Sequence, residues 1–336
     1  MVGGMKRREL IAGALSIAAT TRGSAQPAAK ARRLAIFSLT ESSSLMVERG
    51  ENRYYRALLN ELRRLGHVVG ENLVVERYGR ESNTAGAAAL VAEVVSSQPD
   101  VIYVVGFGTS LFKRETATIP IVGLTGDPVA QGLIQSLARP GGNITGVSVD
   151  TGPSIQGKRI ALLREVFPPL TKLAYLTLRP QWDAIQGAAV MAASEMIGVS
   201  VVSLLLDLPT SEAGYRAAIA RAASQGANAI MVGDSPDALA NRALIVDLIE
   251  QTRLPAMHPF RELVEIGGLM AYSFDLVELN KRAAAGIDAI LRGANPGEIP
   301  FYQASKFELS INLRTAAMLG IAVPTTLLAS ADKVVE

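Results

Sequence analysis

Short apolar runs alternate with longer amphipathic stretches along nearly the whole chain, and that alternation restricts it to a parallel α/β architecture. Residues 34–38, 72–78, 101–105, 119–124 and 144–147 read as strands. Between them, residues 53–65 bring Tyr54, Ala57, Leu58, Leu62 and Leu65 onto one helical face, and Gly66 stops that helix. Residues 85–96 form a second, Ala- and Val-rich helix. The pattern restarts after a helix over 156–167 that ends at Pro168-Pro169. Strands follow at 173–178, 200–206, 229–232 and 269–272, with helices at 184–197, 212–225, 237–252 and 276–291. An internal echo links the two series. Thr118-Ile119-Pro120 precedes Gly141-Gly142, and Thr252-Arg253-Leu254-Pro255 precedes Gly267-Gly268. In both, a helix leads to a strand beginning at Pro, and a Gly-Gly turn leads to the next strand. The fold class expected is therefore α/β, with two doubly wound parallel-sheet lobes facing each other across a cleft lined by strand C-terminal ends.

Composition narrows the function. A length of 336 residues suits two or three domain-sized units, and 49% hydrophobic against 19% charged residues excludes disorder. There is no cysteine, which removes disulfides, thiolate metal sites and Cys nucleophiles, and only two histidines, His67 and His258. No metal site is expected. Lys6, Arg7, Arg8 and Arg22 against Glu9 give the first 25 residues a charge of +3, and removing it from the chain's +2 leaves −1. The body has no basic tract for nucleic acid. Lys6-Arg7-Arg8 precedes the apolar residues 11–19 and the small-residue exit Gly23-Ser24-Ala25, the layout of a cleaved twin-arginine-like export leader ending at Ala25. The apolar run is too short to span a bilayer, and no later segment is long enough. A periplasmic protein without membrane insertion is expected.

The loops after the strands carry the candidate chemistry. Ser38-Leu39-Thr40-Glu41-Ser42-Ser43-Ser44 offers hydroxyls, Thr40 and Ser43 among them, either as helix caps in a surface loop or as anion ligands. Gly106-Phe107-Gly108-Thr109-Ser110 permits close backbone approach and helix capping by Thr109 or Ser110. It lacks the third glycine of a dinucleotide fingerprint and the Gly-Lys of a phosphate loop, so no cofactor is expected. Thr125-Gly126-Asp127-Pro128 places Asp127 either as a cap or facing the cleft. Gly233-Asp234-Ser235-Pro236 resembles a hydrolase block but lacks its late Asp-x-x-His. Tyr272-Ser273-Phe274-Asp275 pairs an aromatic face with a carboxylate that can also cap the next helix. Trp182, the only tryptophan, follows the sixth strand near the cleft mouth.

Longer motifs carry a family likeness. Gly126-Asp127-Pro128-Val129, the run Leu137-Ala138-Arg139-Pro140-Gly141-Gly142-Asn143-Ile144-Thr145-Gly146, residues 260–272 (FRELVEIGGLMAY) and residues 306–313 (KFELSINL) resemble the periplasmic solute-binding components of ABC importers, in the tryptophan/tyrosine-type branch. The resemblance spans nearly the whole body. It implies a class I periplasmic-binding fold with a three-strand hinge near Val149, Phe274 and Ala304. After the leader (1–25), lobe 1 would comprise 26–149 and 275–303, and lobe 2 150–274 and 304–336. The chain departs from the family pattern at Gly108-Thr109-Ser110-Leu111, at Arg179-Pro180-Gln181-Trp182-Asp183 and at Tyr272-Ser273-Phe274-Asp275, all at the cleft.

The function expected is capture of a small solute, an amino acid or similar metabolite, by hinge closure and delivery to an inner-membrane ABC permease, by a monomer without catalytic groups. Ligand contacts are expected from Thr40, Ser43, Gly108, Thr109, Ser110, Thr125, Asp127, Trp182, Asp234, Ser235, Tyr272 and Asp275. An amino-acid carboxylate would meet Thr109 and Ser110, its ammonium Asp275 or Asp127, and its side chain Phe107, Trp182 and Tyr272. Two other readings compete. One is an exported hydrolase using Ser235 and His258. The other is a cytoplasmic ligand-sensing regulator, which would need an N-terminal helix-turn-helix the sequence lacks.

Overall fold

The computed structural model describes residues 31–336 except Thr84, Phe107, Asp150 and Thr151. The leader and Phe107 as a ligand flank therefore lie outside the described residues. Among the described residues thirteen strands form two sheets. The first holds β1 (Arg32–Phe37), β2 (Leu73–Tyr78), β3 (Val101–Val105), β4 (Ile121–Thr125), β5 (Ile144–Ser148) and the two-residue β11 (Tyr302–Gln303), in the order β11-β5-β4-β3-β1-β2. The second holds β6 (Lys172–Leu178), β7 (Ser200–Leu206), β8 (Ala229–Val232), β9 (Ala256–His258), β10 (Met270–Phe274), β12 (Phe307–Asn312) and β13 (Lys333–Val335), in the order β13-β12-β10-β9-β8-β6-β7.

The first five strands of each sheet repeat one doubly wound order, 2-1-3-4-5, with every pair among them parallel. The internal echo is this repeat: Pro120 and Pro255 immediately precede β4 and β9, and the Gly-Gly turns precede β5 and β10. Strand β9, only three residues long, is absent from the run-by-run reading because so short a segment has no resolvable period. The antiparallel pair β10–β12 extends the second sheet alone.

Both faces of each sheet are covered, which is why the strands read as continuous apolar runs. Leu34 and Ile36 enter one core and Ala35 and Phe37 another, while Leu173 and Tyr175 face away from Ala174 and Leu176. Gly123 and Gly146 are register partners in β4 and β5; a Cβ on Gly146, at φ 151°, would meet the Gly123 carbonyl oxygen. Backbone approach that close needs glycine.

The chain passes between the sheets three times. After β5 it enters the helix Pro153–Val166, which packs on the helix Gly187–Ile197 of the second sheet. After β10 it returns through Asp275 to the helix Leu276–Leu291, which packs on β3, β4, β5 and the helix Arg53–Arg64. Between β11 and β12 it crosses again. Among the described residues no helix is long and apolar enough to cross a membrane.

Candidate functional site

In a 2-1-3-4-5 sheet the connections after the first and third strands leave in opposite directions and open a crevice beyond the strand ends. Here both sheets aim that crevice at the same space. A cavity of about 320 Å³ lies between them. From the first sheet it is lined by Ser38 and Glu41 after β1, Val105 of β3 with Gly106 and Ser110 beyond it, Leu124 and Thr125 of β4 with Gly126 and Gln131 beyond them, and Val149 after β5. Asn52, Tyr54, Tyr55, Leu276 and Asn280 complete that wall. From the second sheet come Pro180, Gln181, Ala184, Ile185 and Gln186 after β6, Asp234, Ser235, Pro236 and Leu239 after β8, Phe260 after β9 and Phe274 of β10. The two walls touch at Gly106, whose Cβ would lie 3.0 Å from Cγ of Pro236.

The second wall is locked by a buried ion pair. Arg159 projects from the helix Pro153–Val166 and is 0% exposed. Its guanidinium takes the Asp234 carboxylate in bidentate fashion, one arm at 2.9 Å, and its Nε donates to the Tyr272 carbonyl at 2.9 Å. Gln186 donates to the Asp234 carbonyl at 2.8 Å and accepts from Thr177 Oγ1 at 2.6 Å. A π-helical turn, Trp182–Gln186, delivers Gln186 to this network.

The first wall is looser in charge. Glu41 faces the cavity without an ion-pair partner. Burial pushes its carboxyl above the usual carboxylate range, against the pull of Arg242, Arg80 and a hydrogen bond from Asn52. Thr125 and Gln131 bond each other at 3.2 Å, and Asn280 accepts from Tyr103 at 2.8 Å.

Of the residues singled out from sequence, Ser110, Thr125, Asp234 and Ser235 line the cavity; Thr40, Ser43, Gly108, Thr109, Asp127, Trp182, Tyr272 and Asp275 are not among its lining. Each of the latter has local work. Asp275 accepts from the Val277 and Glu278 amides at 2.9 and 3.2 Å, and Asp127 from those of Val129 and Ala130 at 3.0 Å, so both carboxylates cap backbone. Thr109 is 0% exposed and donates to the Gly106 carbonyl at 3.1 Å. A Cβ on Gly108 would press on Phe37 and Val104, each at 3.0 Å. Trp182 packs on Tyr175, ring centroids 5.8 Å apart, and Tyr272 stacks on Phe307 at 5.5 Å. In the Ser run, Thr40 turns back to Ser38, and the Ser43 amide donates to Glu81 at 2.7 Å.

Sequence reasoning passed over Glu41, Arg159, Asn52, Tyr54, Tyr55, Phe260 and Gln186. Arg159 did leave a signal. It interrupts the inward stripe Ile155, Leu162, Leu163 and Val166, and a buried arginine needs an acid. The hydrolase dyad does not form. Ser235 Oγ accepts the Ala238 amide at 2.9 Å, and His258, 1% exposed, has no hydrogen-bond partner and lines a separate cavity. Among the described residues no cluster of three or more His, Asp or Glu is placed to hold a metal.

The family model for ABC transporter substrate binding proteins matches residues 46–335. The chain belongs to that family. It is a family of substrate-binding proteins, not of enzymes, and these work with an ABC permease. A tyrosine-binding protein of Clostridioides difficile is 22% identical over 305 residues, covering 86% of this chain and 81% of that one. Among solved structures, a Streptococcus pneumoniae domain in complex with L-Trp superposes with a TM-score of 0.79 at 20% identity, covering 91% of this chain and all of that one. A ligand-free, open substrate-binding protein with adhesive properties from Clostridium difficile gives 0.60 at 18%, covering 90% and 99%. These neighbours share the class I periplasmic-binding fold, as expected from the sequence.

Proposed function

We propose that the chain is the extracytoplasmic receptor of an ABC importer for a small solute with an apolar body, of the aromatic amino-acid class, captured between the sheets by closure about the three crossings. The observation that carries this reading is the cavity formed at both crevices at once. A ligand there touches both halves only when they close, so binding shifts the population toward closure. The cavity's volume falls at the small end of the roughly 300–1,000 Å³ of ligand sites, which suits one amino acid. Apolar walls from Tyr54, Tyr55, Ile185, Phe260 and Phe274 with a few fixed polar groups support an aromatic side chain. The greater likeness to the L-Trp complex than to the open, ligand-free protein supports a closed arrangement. The basic, apolar and small-residue order of residues 6–25 supports export.

Thermal denaturation against a panel of amino acids tests the proposal. Aromatic members are expected to raise the melting temperature with the logarithm of their concentration above Kd, reaching about 2.7 kcal/mol of added stability at a hundred times Kd. A panel in which no amino acid stabilises the protein would overturn it.

A further inference from the structure

We propose that the cavity selects its ligand by a positive charge: Glu41 holds a primary ammonium, the ligand's carboxylate is dispensable, and amines carrying an aromatic or aliphatic body therefore belong to the ligand class. The inference rests on the cleft being the binding site. Among the described residues lining the cavity there is no Lys, Arg or His, so a carboxylate inside it has no side-chain cation among them to meet. The buried cation nearest in the network, Arg159, is already committed to Asp234 through both arms of its guanidinium. Arg80 and Arg242 act on Glu41 from outside the lining, and both are exposed. Of the two acids among the described residues that line the cavity, Asp234 thus has an ion-pair partner and Glu41 has none. Asp127 and Asp275, two further acids after strand ends, spend their carboxylates on backbone amides.

A carboxylate in a partly dry, aromatic-walled space, offset only by two exposed arginines and the Asn52 hydrogen bond, is costly until a closer cation arrives. A primary ammonium offers three donors to Glu41, and Tyr54 and Tyr55 on the same wall add aromatic surface beside it. An anionic ligand gains nothing comparable and meets the Glu41 field. Glu41 is on this account a specificity-determining residue.

Calorimetry with two matched sets tests this: L-tryptophan, tryptamine and indole-3-propionate, and L-tyrosine, tyramine and 3-(4-hydroxyphenyl)propionate. Within a set, the amine is expected to bind within about tenfold of the amino acid, and the acid lacking nitrogen to lose about thirtyfold or more, as for an unpaired buried charge. Glu41→Gln should reduce binding of amino acid and amine about thirtyfold while its circular dichroism and melting curve stay parental. Amino acids that bind while their amines do not would overturn the inference and leave the receptor reading intact. Acids that bind as well as the amines, or a Glu41→Gln variant of parental affinity, would also overturn it. Failure of every member of both sets would remove the cleft reading and this inference together.

Discussion

Among the described residues each half of the molecule sets one carboxylate on the cleft and one histidine in its framework, and the pairings are reversed. In the second half Asp234 is clamped by Arg159, while His258 is buried with neither ring nitrogen partnered. In the first half His67 Nε2 meets Asp288 at 2.7 Å, while Glu41 faces the cavity unpaired. The strand order is the same in both, so topology does not dictate the difference. One wall satisfies its charge internally and is ready before a ligand arrives; the other keeps its charge available for the ligand.

The largest test breaks the clamp. Arg159→Met leaves Asp234 buried and unpaired and is expected to cost about 3–5 kcal/mol in chemical denaturation. Arg159→Met with Asp234→Leu should recover most of that loss, because an apolar pair no longer carries the desolvation penalty. Glu41→Gln is expected to change stability by less than about 1 kcal/mol in either direction, since no native pair is broken. Equal losses for Arg159→Met and Glu41→Gln would mean that the two walls do not differ in the way described.

A somewhat smaller effect concerns the histidines. Burial lowers the His258 pKa from 6.5 to about 3, so the folded protein keeps that ring neutral. Between those values the unfolded chain binds a proton that the folded chain does not. The stability contributed is therefore complete above about pH 6.5 and falls on acidification toward pH 3, by about 1.4 kcal/mol per pH unit. Denaturation from pH 7 to 4.5 should show this slope in the parent. His258→Leu should flatten it by one proton, and an unchanged slope in that variant would place the acid sensitivity elsewhere.

Much of this was legible from the chain because parallel strands covered on both faces are long apolar words: Val101–Val105 and Lys172–Leu178 appear where periodicity puts them. The crevices were legible too, since strand ends follow from strand positions. Which side chain fills a crevice was not. An aspartate before a helix has the same signature whether it caps or binds, and Asp127 and Asp275 both cap. Glu41 was hidden in a loop whose hydroxyls draw the eye, although those hydroxyls mostly bond the loop itself. The π turn at Trp182–Gln186 is invisible to a 3.6-residue period, and it is the turn that brings Gln186 to the cleft floor in place of Trp182. Phe260 reaches the cleft only because the short strand β9 precedes it.

The smallest expected effect lies where the halves meet. Arg53, at the start of the helix beside the cavity, ion-pairs Glu262 and lies 3.9 Å from Glu265; among the described residues these are the ion pairs joining one sheet's elements to the other's. Neither acid depends on Arg53 alone, because Arg261 stands 3.7 Å from Glu262 and Lys333 2.6 Å from Glu265. Opening would thus leave both acids compensated, and only the increment from Arg53 would be lost. That increment is about 0.5–1 kcal/mol for a partly exposed pair, or roughly two- to fivefold in the rate of ligand release. Stopped-flow release of L-tryptophan should be faster by that factor in Arg53→Gln at low salt and indistinguishable from the parent at high salt, where screening weakens the parent's own pair. Exchanging the charges in Arg53→Glu with Glu262→Arg should recover only part of the effect, because Arg261 would then face a second cation. If Arg53→Gln releases at the parental rate at low salt, the Arg53 ion pairs contribute nothing to holding the halves together, and closure rests on their other contacts.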